Sequence, residues 1–175
     1  MDYLVAWGTY LQADKAASKM RTQMGWTPKE DAFVIGGIEI KRNGDEVSSP
    51  TSALCHNISR HLERGGSYDK WKEVTNKLNQ PGLELHAFVM LAGFGSSLMP
   101  YTSTSGVSIS LTGDTGAGKT GALYSALSIW GHPKHLSVLE TTNNALTGRF
   151  LALHNIPMGL DEVGNMDGTL LSQTI

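Results

Sequence analysis

The spacing of apolar residues changes character about midway along the chain. Over residues 3–24, Leu4, Trp7, Tyr10 and Leu11 recur at intervals of three and four, which predicts an amphipathic helix stopped by Gly25. Ala32-Phe33-Val34-Ile35 and Ile38-Glu39-Ile40 are short extended runs, and Asn43-Gly44 supplies residues that tolerate a left-handed turn, so a β-hairpin is predicted within residues 32–47. Ser48-Ser49-Pro50 and Arg64-Gly65-Gly66-Ser67 read as loops flanking a short helix at 54–62. Trp71, Val74 and Leu78 then repeat at helical spacing behind the caps Ser67 and Asp69, until Gln80-Pro81-Gly82 breaks the run. Residues 83–98, rich in Leu, Phe, Met and Ala, predict a second, buried helix.

Beyond Pro100 the order becomes strand (107–111), glycine-rich loop, helix (121–130), strand (136–140), helix (145–154) and strand (156–162). That alternation predicts an α/β unit with a parallel sheet. The expected division is a mainly helical region with a hairpin at 1–100 and an α/β core at 101–175. Two details sit awkwardly in the strands. Pro157 lacks a ladder donor and Gly159 a side chain to pack, while Ser108 and Ser110 alternate with Val107, Ile109 and Leu111 where a doubly covered strand is usually apolar throughout.

The chemistry lies in the loop. Gly113-Asp114-Thr115-Gly116-Ala117-Gly118-Lys119-Thr120 has the spacing of a phosphate-binding P-loop between a predicted strand and a predicted helix. Glycines let the backbone turn its N–H groups toward phosphate oxygens, the helix start adds a positive dipole end, Lys119 reaches the β- and γ-phosphates, and the Thr120 hydroxyl ligates Mg2+. Such a spacing arises by chance in a chain of this size with a probability on the order of one per cent. A glycine-rich surface turn is the plain alternative. Asp161, 42 residues after Lys119 at the end of the last predicted strand, is the expected second magnesium ligand, and Glu162 the residue that orients and deprotonates the attacking water. Their plain alternative is an exposed acidic pair in a loop. The arrangement matches the additional-strand class of P-loop ATPases, with ATP and Mg2+ as cofactors.

Other residues carry weaker signals. Thr142 and Asn144 fit a helix N-terminus better than a γ-phosphate sensor, and Arg149 fits a solvated helix face better than an arginine finger. His56 with His61, and His132 with His135, lack a third ligand at metal-site spacing. Trp7, Trp26, Trp71 and Trp130 are scattered as core aromatics are, rather than clustered for base stacking. The net charge of −2 gives no global attraction to nucleic acid, and one cysteine forms no intramolecular disulfide. No apolar stretch approaches the roughly 20 residues of a membrane span. A cytoplasmic protein without a membrane role is expected.

Taken together, Gly25-Trp26, the hairpin starting at Phe33, the octet at Gly113, Ser128-Ile129-Trp130-Gly131, residues 141–146 and Leu160-Asp161-Glu162 resemble the domain-of-unknown-function 927 family. Its members, common in phages, prophages and other mobile elements, carry a helicase-like P-loop ATPase in their C-terminal half. They often sit beside primase or replication modules. The resemblance implies a fold similar to the hexameric AAA+ and superfamily 3 replicative ATPases, a homo-oligomeric ring, DNA as a partner, and ATP hydrolysis coupled to DNA movement in the cytoplasm of a bacterial host. The rival readings are an ATP-dependent regulatory switch without unwinding activity and a small P-loop phosphotransferase. Three predicted parallel strands are fewer than an additional-strand core requires, so a fragment of a longer product is expected.

Overall fold

The computed structural model describes residues 2–13, 20–138 and 142–161. Helix α1 (Asp2–Ala13) is shorter than its periodicity predicts. By Met24 the chain is extended: its N–H donates to the Ala152 carbonyl, it bridges to Leu153, and its side chain is fully buried. Tertiary burial of a single Met thus outweighs the helical pattern at this end.

The predicted hairpin is the centre of a larger meander. Strands β1 (Gly25–Trp26), β2 (Ala32–Ile35), β3 (Ile38–Lys41) and β4 (Glu46–Ser48) pair antiparallel in sequence order. Ile35 faces Ile38 across the Gly36-Gly37 turn, and Asn43-Gly44 turns β3 into β4, with Gly44 at φ 88°. Along β2, Ala32 and Val34 are buried while Phe33 and Ile35 are half-buried, the period-two pattern of a strand with one face on the core. Arg21 pairs with Glu39 of β3 at 2.6 Å and anchors the extended entry to the meander.

Helices α2 (Ala53–Ser59), α3 (Tyr68–Asn76) and α4 (Glu84–Gly95) follow. Ser67 caps α3, its hydroxyl accepting from the Lys70 N–H, as the sequence predicts. The apolar helix α4 is less buried than its composition predicts. Val89 and Gly93 are buried, whereas Leu85, Phe88 and Leu91 are exposed, because among the described elements α4 packs chiefly on one neighbour, α5 (Lys119–Leu127). A 3-10 turn, Ser96–Tyr101, continues from α4.

The segment 107–111, predicted as a strand, has no ladder partner among the described residues. A strand exists only where a second backbone accepts its hydrogen bonds, and among the described strands β5 (Ser137–Val138) and β6 (Gly159–Leu160) form the parallel pair. Val107 is 68% exposed, and Leu111 alone packs, against Val89, Ala122 and Ala126. The short helix α6 (Pro133–Leu136) leads into β5, and α7 (Asn143–Ala152) crosses over to β6. Thr142 caps α7 by accepting from the Ala145 N–H.

The main core gathers Met24, Val34, Cys55, Ile58 and Leu62 with Leu127, Leu136, Ala152, Leu153 and Ile156, so it draws on both sides of residue 100. Three indole or aromatic contacts fasten the carboxyl end of α5. Trp71 donates to Ser128 Oγ at 2.9 Å, Trp130 donates to the Gly93 carbonyl at 2.8 Å, and the Trp130 ring stacks on Phe33. Trp26, Trp71 and Trp130 are partly buried as expected, but Trp7 is half exposed, stacked between Tyr3 and Tyr10 on α1.

Candidate functional site

The octet 113–120 forms a loop that opens without a linker into α5. Gly113, Gly116 and Gly118 have φ of 145°, 85° and 80°, backbone conformations in which a side chain is strained. The Ala117 N–H donates to the Asp114 carbonyl and tightens the turn. Gly118 is the N-cap of α5 and offers no side chain to its first turn. The first N–H groups of a helix have no intrahelical acceptor, so this end presents uncapped donors and the positive end of a dipole.

Lys119 folds back over the loop. Its ammonium donates to the carbonyls of Gly113 and Asp114, each at 2.7 Å, which uses two of its three donors. Asp114, Thr115 and Thr120 are exposed beside it. The cation is therefore held by weak neutral acceptors at the mouth of a donor-rich turn. A multiply charged anion is the better partner for both groups.

Strand β6 lies directly on α5. A side chain at Gly159 would meet Leu127 Cδ1 at 2.8 Å and Leu123 Cδ1 at 3.0 Å, so the glycine that weakens a strand on paper is what admits the helix. Pro157 precedes the paired residues and removes no ladder donor. Asp161 leaves the end of β6 with its N–H bonded to the Val138 carbonyl at 2.9 Å and its side chain half-buried. Glu162 lies outside the described residues.

A family model described as a domain of unknown function, DUF927, matches residues 3–175. The chain belongs to the DUF927 family. No curated protein and no solved structure matches it. The match runs through the meander, the helices and the glycine-rich loop, so this DUF927 chain carries all of them within one family domain.

Away from the loop, the histidines separated in sequence meet in space. His61 stacks on His135 with ring centroids 3.8 Å apart, and His132 lies 4.7 Å from His135. Burial, then the charges of His135, Arg60, His132 and Arg149, hold His61 below the ordinary histidine range. No group of three or more metal-ligating side chains is found among the described residues. Arg149, expected on a solvated face, donates to the His135 carbonyl at 2.9 Å. Among the described residues no helix of this DUF927 chain is long and apolar enough to cross a membrane.

One residue beside the loop escapes sequence reasoning. His86 of α4 reaches Gly118, and its buried Nδ1 has no hydrogen-bond partner among the described residues. The available signal was compositional: between Glu84 and Gly95, His86 is the lone polar side chain after the first residue of the helix.

Proposed function

We propose that this DUF927 chain binds ATP with Mg2+ on the loop 113–120 and hydrolyses it. The observation that carries the reading is the Lys119 ammonium drawn across three left-handed glycines onto the carbonyls of Gly113 and Asp114, at the uncapped start of α5. Triphosphate oxygens would take over that ammonium and the free N–H groups of the loop. Gly113, Asp114, Thr115, Gly116, Ala117, Gly118, Lys119 and Thr120 are the nucleotide-binding residues. The Thr120 hydroxyl and the Asp161 carboxylate are hard oxygen donors suited to Mg2+, which when bound neutralises charge on the phosphate oxygens. Glu162 is assigned the orientation and deprotonation of the attacking water. The β5-α7-β6 crossover with α5 on its face supports a P-loop α/β architecture.

The family resemblance extends this reading to a ring-forming motor that couples hydrolysis to movement along DNA in phage-like replication. The test is Mg-ATP affinity and turnover of the wild type, Lys119→Ala and Glu162→Gln, with and without single-stranded DNA. Lys119→Ala is expected to lose binding, and Glu162→Gln to bind while turnover stops. Equal affinity in wild type and Lys119→Ala refutes the nucleotide site. Hydrolysis that single-stranded DNA does not stimulate refutes the motor and favours an ATP-dependent switch.

A further inference from the structure

Helix α4 is registered on α5 by three successive contacts. His86 lies opposite Gly118, Val89 packs on Ala122 and Ala126, and Gly93 lies against the backbone of Ala126. Residues 86, 89 and 93 fall on one helical stripe, so the small residues that draw the two helices together also fix where the imidazole stands. The bond from the Trp130 indole to the Gly93 carbonyl ties α4 down at its other end. A Cβ built on Gly118 would lie 2.6 Å from His86 Nε2, so the ring sits where a side chain of the loop would otherwise be.

The other ring nitrogen makes the choice of residue informative. Nδ1 is buried with no hydrogen-bond partner among the described residues, which costs stability, and an apolar ring of similar size would serve the helix packing better. Polarity at this position is therefore not explained by the packing of the chain on itself. Active sites retain locally unfavourable residues when a ligand uses them, and here the nitrogen that a ligand would use is Nε2, the one that stands at Gly118.

We propose that His86 is a further nucleotide-binding residue, presented by α4, whose Nε2 hydrogen-bonds the bound nucleoside triphosphate at the Gly118 end of the loop. The inference rests on the nucleotide reading above. It makes α4, from the region before residue 100, a wall of the site rather than a support behind it.

The test separates shape from polarity in the full chain. His86→Phe keeps the ring and removes both nitrogens, His86→Gln places an amide near Nε2, and His86→Asn places one near Nδ1. Mg-ATP binding and nucleotide-free thermal unfolding are measured for each. The expected result is a nucleotide-free melting temperature in His86→Phe at or above wild type, with affinity about tenfold weaker, the equivalent of one hydrogen bond. His86→Gln is expected to bind within about threefold of wild type and His86→Asn to resemble His86→Phe, since only Gln restores a group at Nε2. The inference is overturned if His86→Phe binds as wild type does, or if it loses melting temperature and affinity together and His86→Gln recovers neither. Wild type that binds no better than Lys119→Ala brings down the nucleotide reading itself. Wild type that binds, Lys119→Ala that does not, and His86→Phe equal to wild type bring down only the role of His86.

Discussion

Replacing Gly93 by Ala sets two opposed effects of one methyl group against each other. In a helix interior the exchange gains about 1 kcal/mol of intrinsic helix stability. At Gly93 the new Cβ would lie 2.8 Å from the Ala126 carbonyl oxygen and 3.0 Å from its Cα and Cβ, and backbone cannot rotate away as a side chain can. Overpacking of this kind costs about 1–3 kcal/mol. Backing α4 off also stretches the Trp130 bond to the Gly93 carbonyl, worth about 1 kcal/mol. The penalties exceed the gain, so Gly93→Ala is expected to destabilise by about 1–3 kcal/mol. Gly95, two residues on in the same helix, has no atom of the described residues within 4 Å of its Cβ position, and Gly95→Ala is expected to stabilise by about 0.5–1 kcal/mol. Urea titration and thermal melting measure both, each kcal/mol moving the melting temperature by about 2–4 °C at this size. Adding Ala126→Gly to Gly93→Ala should recover part of the loss, because the Cβ contact goes while the carbonyl contact stays. A Gly93→Ala protein as stable as Gly95→Ala refutes the close approach of α4 and α5.

Because the folded protein holds His61 below the ordinary histidine value of 6.5, the unfolded chain binds more protons just below that pH. The stability this group contributes is complete above pH about 6.5 and is lost as pH falls toward its depressed folded value. His61→Gln should therefore flatten the pH dependence of urea midpoints below about 6.5, and an unchanged profile counts against the stacked histidines as its source. Cys55 is fully buried with its thiol donating to the Thr22 carbonyl. Labelling by a thiol reagent should follow the opening of the main core and accelerate with urea, whereas immediate stoichiometric reaction in native buffer would contradict that burial.

The β2–β3 hairpin, the helices α3 and α4, the cap at Ser67, the turn at Asn43-Gly44 and the loop-to-helix junction at Gly118-Lys119 were legible in the sequence. Each rests on residues a few positions apart, whose backbone preferences and hydrogen bonds are local. The turn of the octet was legible for the same reason: its glycines lie a few positions apart within one short loop. Periodicity misjudged residues 20–24, because burial of Met24 beneath Leu153 is a contact made across the whole chain. It also misjudged residues 107–111, since an extended run becomes a strand only when another backbone lies beside it, and none does among the described residues. Apolar composition made α4 look buried, and only packing decided that Val89 and Gly93 face α5 while Leu85 and Phe88 do not.

Sequence by itself determined that a glycine-rich loop with Lys119 opens a helix, because those groups are covalent neighbours. Tertiary structure alone decided that Gly159 lets α5 lie on β6, that His61 meets His135, and that His86 stands against Gly118. Those contacts depend on how closely two surfaces approach in space, a distance that spacing along the chain does not encode.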